Sequence, residues 1–404
     1  MLHGRRICRT EWQKFRISGR FGQKFIRLAP VSSNTQMDGG GLMRAVMAFS
    51  GGMDSTGLLV HLLSKGYTVN CLSYNYGQKH SVELDRAKAN IEYLASKGFI
   101  VNHRIVDLTS AMSIFHSALT SEEIDVPEGH YEEEQMKATV VPNRNAIFAS
   151  ILYGYALSIA LKEDVDVEIA LGVHSGDHAI YPDCRPEFYE SIGESFALGN
   201  WESEKVSFNL PYIDGDKATI LRDALISCQK LEIDFDTVFA NTNTSYNPDE
   251  KGRASGKSGA DVERILAFHE IGRKDPVEYV TSWEDVLSGA LKSQLRHYVM
   301  KENGTERPFT GEYDKHFETG KYHCADCDKL LFSSESKFDS GCGWPAFSEE
   351  DANANITQLK DTSYGMVRIE VRCSACDSHL GHLFHESRGP RYCINSICLD
   401  FKGD

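Results

Sequence analysis

Seven of the chain's eleven cysteines lie at or beyond residue 324, and their spacing is that of a metal site beside a redox pair. Cys324-x2-Cys327 and Cys373-x2-Cys376 make two knuckles able to grip one zinc. Four thiolates complete a tetrahedral shell with no open position, so that zinc would be structural and not catalytic. Cys342 lies between the knuckles in Ser340-Gly-Cys-Gly-Trp-Pro345, and Cys393 follows them in Arg391-Tyr-Cys-Ile-Asn395. A thiolate attacks sulfur only when donors or positive charge lower its pKa, and His382, Arg391 and Asn395 are the candidates to do so for Cys393. Trp344 offers a flat apolar wall for a methyl group. Cys342 could then capture a sulfenic acid left on Cys393 as a disulfide. A nucleic-acid-reading zinc module is the usual competitor, but it needs basic and aromatic knuckles. Here the knuckles hold Ala325-Asp326 and Ser374-Ala375.

A second chemistry sits near the other end. Ser50-Gly51-Gly52-Met53-Asp54-Ser55 follows the apolar run 44–49 directly and leads into a helical pattern through Leu58, Leu59 and Leu62. Strand, glycine turn and helix N-terminus together make an anion site. The glycines admit a phosphate close to the backbone, the serine hydroxyls donate, and the helix end presents free N–H groups. No lysine occupies the GxxxxGK[ST] position, so this is not a Walker loop.

The elements that must hold these motifs differ between the two parts. Strand patterns at 67–74, 100–106 and 167–173 alternate with helical patterns at 81–97, 144–163, 186–196 and 217–230. That alternation predicts an α/β fold with a largely parallel sheet and ligands at the carboxyl ends of its strands. Near such ends lie Tyr76-Gly-Gln-Lys-His80, Val141-Pro-Asn-Arg-Asn145, Gly172–Asp177 and Tyr181-Pro-Asp-Cys-Arg185. An amphipathic helix at 283–299, with Val286, Leu287, Leu291 and Leu295 on one side, reads as a connector. Short strand patterns follow at 321–323, 330–333, 367–371 and 397–401, separated by glycine and serine turns. They predict a compact β domain whose zinc compensates for a modest core.

Composition narrows the rest. A chain of 404 residues exceeds one ordinary core, and the net charge of −15 argues against a broad nucleic-acid surface or a stable nucleic-acid partner. No apolar run approaches the roughly 18 residues of a membrane span, so no membrane partner is expected. Paired CxxC knuckles in an otherwise cysteine-poor chain suit a reducing compartment, the cytoplasm. Residues 1–42 are basic and acid-poor. They read as an upstream extension with Met43 as the natural start, or alternatively as an organelle-targeting peptide, and are expected to be poorly ordered.

The front motifs, in this order, resemble the 7-cyano-7-deazaguanine synthases (QueC) within the PP-loop ATP-pyrophosphatases, over about residues 43–282. The resemblance implies a doubly wound parallel sheet of PP-loop type. It also implies adenylation of 7-carboxy-7-deazaguanine, attack by ammonia to give the amide, and a second ATP-dependent step to the nitrile preQ0. Ser50, Gly51, Gly52, Asp54 and Ser55 would hold the ATP phosphates bridged by Mg²⁺. Arg144 and Asn145 would polarise the adenylate, and Asp183 and Arg185 would grip the substrate, unless these four merely form ion pairs at strand ends. That family ends in a zinc site of four cysteines. The matching places here hold Ser245, Ser255, Ser258 and Asp261, poor substitutes for thiolates, so this zinc site is expected to be empty. The front half is then an active zinc-free synthase, a PP-loop enzyme with a shifted acceptor, or a domain that only binds nucleotide.

The region at about 288–404 resembles methionine-R-sulfoxide reductase (MsrB). Arg307-Pro-Phe-Thr-Gly-Glu-Tyr313, Phe338–Pro345, Arg368–Cys373, His379-Leu-Gly-His382 and Arg391–Ser396 carry the likeness. It implies Cys393 as nucleophile, Cys342 as resolving thiol and thioredoxin as reductant. Trp344, His382 and Asn395 would bind methionine-R-sulfoxide, free or in protein, and Cys324, Cys327, Cys373 and Cys376 would hold one structural zinc. Tyr364 stands where the family often has histidine, and the loop 384–390 is shorter than usual. Cys398 alternates with Leu399 and is expected to be a packed strand cysteine. The expected organisation is thus a leader at 1–42, a synthase domain at 43–282, a helical connector at 283–300 and a reductase domain at 301–404.

Overall fold

A short apolar strand, β1 (Arg44–Ala48), lies at the centre of a five-stranded parallel sheet of order β3-β2-β1-β4-β5. Its neighbours are β2 (Thr68–Asn75), β3 (Asn102–Asp107), β4 (Val167–Ala170) and β5 (Val206–Asn209). Ala45, Val46 and Met47 are fully buried, as a central strand covered on both faces requires. The computed structural model describes residues 43–79, 82–121, 124, 134–246, 248–387 and 389–404. The expectations for residues 1–42, for His80 and for Arg388 lie outside them. The described residues from Met43 to Asp404 pack as one unit.

The helices on the sheet are α1 (Met53–Ser64), α2 (Val82–Ser96), the single turn α3 (Thr109–Met112), α4 (Arg144–Glu163), α5 (Pro186–Gly199) and α6 (Lys217–Leu231). Then come α7 (Phe235–Ala240), α8 (Gly259–Glu270) and α9 (Trp283–Met300). One core joins α1, α6 and α7 to one face of the sheet, and a second core joins α4 and α5 to the other. This is the doubly wound arrangement. Contrary to the expectation that no apolar run approaches a membrane span, the stretch Met136–Glu163 is long and apolar enough to cross one by length and composition alone. Its Ala149, Leu152, Tyr153, Ala156, Leu157 and Ala160 are buried in the core beneath the sheet.

The connector helix is more than a connector. Val286 and Ala290 pack with Val262 and Ile265 of α8, while Val299 and Met300 enter the C-terminal core. The expected apolar stripe is rotated, because α9 is gripped from both ends: Leu291 and Leu295 stay exposed.

Beyond α9 every pairing is antiparallel. β6 (Gly320–Cys324), β7 (Leu330–Ser333) and β14 (Leu399–Gly403) form a sheet of order β14-β6-β7. The second sheet runs β10-β11-β12-β13-β9-β8. It comprises β8 (Lys337–Phe338), β9 (Ala346–Phe347), β10 (Ile356–Asp361), β11 (Arg368–Cys373), β12 (His379–Glu386) and β13 (Gly389–Ile394). The two share a core of Tyr322, Phe332, Phe347, Val371, Leu380 and Ile394. Cys398 is fully buried as expected, but it sits in a short 3-10 turn, Ser396–Cys398, that precedes the strand. The expected strand starts two residues later than its pattern because that turn is tied down from outside: Ser396 and Ile397 donate backbone N–H groups to Glu306.

Candidate active sites

The phosphate loop lies where the strand order reverses, between β1 and β4, the place where open α/β sheets bind ligands. Gly51 has φ +87°, and a Cβ there would fall 2.2 Å from the Glu83 carbonyl oxygen. Only glycine permits both that backbone and the close approach of α2. Ser50 Oγ accepts from Gly52 N–H at 3.1 Å and meets Ser55 Oγ at 3.1 Å, which shapes the turn before α1 begins. Asn243 N–H donates to the Gly51 carbonyl at 3.0 Å and closes the loop from the far side.

A cavity of about 250 Å³ opens beside this loop. Ser50, Gly52, Asp54, Ser55, Arg144 and Asn145 all line it. Asp183 and Arg185 do not. The Asp183 carboxylate accepts the Asn145 N–H at 3.2 Å, at the first turn of α4, and the exposed Arg185 donates to the His178 carbonyl at 2.8 Å. Asp183 thus positions Asn145, and Arg185 is held outside the cavity wall.

Among the lining residues that escaped sequence reading are Lys217, Glu83 and the Tyr74–Phe148 pair. Lys217, nearly fully buried at the first position of α6, puts Nζ 2.9 Å from Asp54 Oδ2, 2.8 Å from His174 Nε2 and 3.3 Å from Glu263 Oε2. A lysine at a helix N-terminus opposes the macrodipole, and that misplacement was the available signal. Glu83 also lines the cavity, and burial, aided by the Asp54 charge and opposed by Arg144, pushes its carboxyl up to about 8. Tyr74 stacks on Phe148 at 4.0 Å, giving the cavity an aromatic wall.

The four places where the resemblance implies zinc ligands hold a different arrangement. Ser245 Oγ and Ser255 Oγ donate to Asp261 Oδ2 at 3.0 and 2.8 Å. Gly256 N–H and Ser258 N–H point at the same oxygen from 3.1 and 3.3 Å. A zinc needs four lone pairs converging on one point; here donors converge on a carboxylate oxygen, so the residues do not fit the metal.

In the C-terminal part the two knuckles repeat one geometry. Asp328 N–H returns to the Cys324 carbonyl at 2.8 Å, and Asp377 N–H to the Cys373 carbonyl at 2.9 Å. Asp328 and Asp377 adopt φ of 58° and 57°. The four sulfurs lie within 4.8 Å of one another, with Cys324–Cys376 at 3.7 Å and Cys327–Cys373 at 3.5 Å. Tetrahedral Zn–S bonds of about 2.3 Å require sulfurs roughly 3.8 Å apart, so this cage fits zinc.

Cys393 on β13 faces Cys342 at 3.7 Å between sulfurs. Burial, reinforced by Cys342, pushes the Cys393 thiol up to about 12, and Arg391 alone of the three expected activators acts against this. Burial at this half-buried sulfur thus opposes the lowering expected from His382, Arg391 and Asn395. His382, opposite Cys393 in the β12–β13 pairing, has Nε2 3.0 Å from Asp361 Oδ2. Asn395 is buried with both ends of its amide on backbone, accepting from Glu306 N–H at 3.1 Å and donating to the Leu380 carbonyl at 3.1 Å. It positions the strand end behind Cys393. Trp344 is half-buried, its Nε1–H donating to the Glu306 carbonyl at 3.0 Å. Glu306 was not singled out from sequence; its carboxylate also accepts from Ser396 and Ile397 N–H. With Arg307 beside it in a turn-rich stretch, Glu306 reads in the sequence as an ordinary solvated acid and gives no sign of this role.

A phosphate loop at the switch point of a doubly wound sheet defines a nucleotide-using α/β enzyme of the PP-loop type. A four-cysteine cage beside an opposed thiol pair defines a zinc-framed thiol reductase. The chain belongs to the family of the queuosine biosynthesis protein QueC, whose model matches residues 44–272, and it carries a SelR domain, that of methionine-R-sulfoxide reductases, at 292–403. It is 44% identical over 246 residues to a 7-cyano-7-deazaguanine synthase of Hahella chejuensis, covering 61% of this chain and 95% of that one. A synthase of the same name from Caldicellulosiruptor saccharolyticus is 43% identical over 237 residues, covering 59% and 96%. One from Colwellia psychrerythraea is 41% identical over 236 residues, covering 58% and 98%.

Proposed function

We propose that the chain is bifunctional. The front half converts 7-carboxy-7-deazaguanine and ammonia to 7-cyano-7-deazaguanine with ATP, and the back half reduces methionine-R-sulfoxide with thioredoxin as reductant. The observation that carries the first activity is the single cavity holding the phosphate loop, Arg144 and an aromatic wall for a flat base. Ser50, Ser55 and the α1 N-terminus would receive the ATP phosphates. Asp54 Oδ1, buried without a hydrogen-bond partner among the described residues, is the oxygen that would meet Mg²⁺, which neutralises phosphate charge when bound. Lys217 holds the other Asp54 oxygen, and Arg144, lining the same cavity, supplies the positive charge for the adenylate carbonyl.

The second activity rests on the 3.7 Å approach of Cys393 and Cys342. Cys393 Sγ takes the oxygen of the sulfoxide and becomes a sulfenic acid, releasing the thioether. Cys342 then displaces water from that sulfur to form a disulfide, and a dithiol of the thioredoxin class returns both thiols. Cys324, Cys327, Cys373 and Cys376 would hold a zinc that ties the ends of β6 and β11, which belong to different sheets, to one another. Cysteine usage favours a reducing compartment, the cytoplasm.

The test is direct. Full-length protein given ATP, ammonia and 7-carboxy-7-deazaguanine is expected to form the nitrile, and given reduced thioredoxin and methionine-R-sulfoxide to form methionine. AMP release without nitrile would reassign the acceptor, and nucleotide binding without turnover would reduce the front half to a tether or regulator.

A further inference from the structure

Asp261 stands at the centre of the segment that closes the nucleotide cavity. Ser258 caps α8 and accepts Asp261 N–H at 3.2 Å, while the Asp261 side chain reaches back to Ser258 N–H. This S-x-x-D capping box anchors the aspartate locally. From there Oδ2 gathers two hydroxyls and two backbone N–H groups belonging to Ser245, Ser255, Gly256 and Ser258. Backbone N–H groups aimed at one point attract an anion and repel a cation. The remaining oxygen, Oδ1, is buried with no partner among the described residues, far short of the six to eight oxygens of a calcium site.

Ser245 continues directly into the cavity. Asn243 holds Gly51, and Asn243, Thr244 and Tyr246 line the cavity wall. Arg264, one turn beyond Asp261, reinforces the same segment through Thr242 Oγ1 at 2.7 Å and Thr244 Oγ1 at 3.0 Å. On the outer side, a Cβ at Gly256 would fall 2.6 Å from Val286 of α9, so the fusion helix seals the cluster.

We propose that Asp261 replaces the family's zinc as a positioning residue: its carboxylate, gripped by Ser245, Ser255, Gly256 and Ser258, holds the cavity-lining segment without a metal. Of the four places where thiolates would surround a dication, three now donate, with Gly256 N–H, to an anion at the fourth. The proposal rests on the nucleotide-binding reading of the front half, and metal content and unfolding temperature test it without any turnover.

The experiment uses the full chain, metal analysis by mass spectrometry, thermal unfolding, and titration with ATP alone. Wild type is expected to carry one zinc and no second tightly held divalent metal. Asp261→Ala is expected to keep that one zinc, unfold at lower temperature and bind ATP at least tenfold more weakly. Asp261→Asn, which keeps the shape and loses the charge, is expected to lose at least threefold and stands in if the alanine variant does not fold. The combined Ser245→Cys, Ser255→Cys, Ser258→Cys and Asp261→Cys variant is expected to carry two zincs and recover wild-type unfolding and ATP affinity. A second metal in wild type, or an Asp261→Asn variant with unchanged unfolding temperature and ATP affinity, overturns the proposal. Should wild type bind no ATP, the synthase reading fails while the metal count and unfolding temperatures still decide the role of Asp261.

Discussion

Cys342 and Cys393 face each other with sulfurs 3.7 Å apart, close enough to react and too far to be bonded. A disulfide needs about 2.0 Å, and Cys342 sits between Gly341 and Gly343, at φ +70° and +90°, so the approach falls to a glycine-flanked loop. Replacing Cys342 by serine is therefore expected to leave one equivalent of sulfoxide reduced per chain and to stop thioredoxin-driven turnover. Cys393→Ser should abolish both. A burst measurement separates the two, and sustained turnover in Cys342→Ser would move the resolving role to another thiol.

Asp361 holds His382 at 3.0 Å and is itself fixed by Ser363 and Arg368. Asp361→Ala should free the imidazole and lower kcat/KM for the sulfoxide roughly 10- to 100-fold, the usual cost of a misplaced group. The zinc content should stay unchanged, since no zinc ligand is touched. Steady-state kinetics beside metal analysis would show it.

Arg264 and Asp275 form a bidentate pair at 2.6 and 2.9 Å, with side chains 2% and 0% exposed. Removing one partner leaves a buried charge, which typically costs about 3–5 kcal/mol. Asp275→Ala is expected to show that loss in urea unfolding of the front half. The paired change to two apolar residues should recover much of it.

Glu83 carries the clearest pH signature. Its carboxyl ordinarily titrates near 4.5 and is pushed up to about 8 by burial in the cavity wall. Between those values the unfolded chain binds fewer protons than the folded one, so this residue's stabilisation falls as pH rises. The contribution is complete below 4.5 and lost on passing about 8. ATP affinity should fall over the upper part of the same window, because ionised Glu83 adds negative charge beside the phosphates. Glu83→Gln should flatten both profiles in unfolding and ATP-titration series across that range.

Much of this protein is legible in its sequence. The glycine turn after an apolar strand, the alternation of strand and helix, and the paired CxxC knuckles all depend on neighbours in sequence, and local sterics and ligand spacing fix their meaning. Strand Leu330–Ser333 matches its pattern residue for residue, and Arg144–Glu163 is a helix as its spacing predicts. Short strands such as Val206–Asn209 and Ile356–Asp361 were not legible. Their half-exposed residues carry little pattern, and pairing with a distant strand makes them strands.

The site divides in the same way. Residue types and spacing alone show what is available for chemistry: a phosphate loop, four metal-binding thiols, two further thiols, and serines with an aspartate where the resemblance implies a zinc site. What those residues do to one another follows from the folded packing. Lys217 reaches Asp54 across 163 residues of chain, Glu306 reaches the strand end behind Cys393 across about 90, and Arg185 is kept out of the cavity it was expected to enter. It also turned the thiol's pKa upward, and it made Asp261 the centre of a cluster instead of a defective ligand. Burial and the direction of each hydrogen bond are properties of packed surroundings, and spacing along the chain does not encode them.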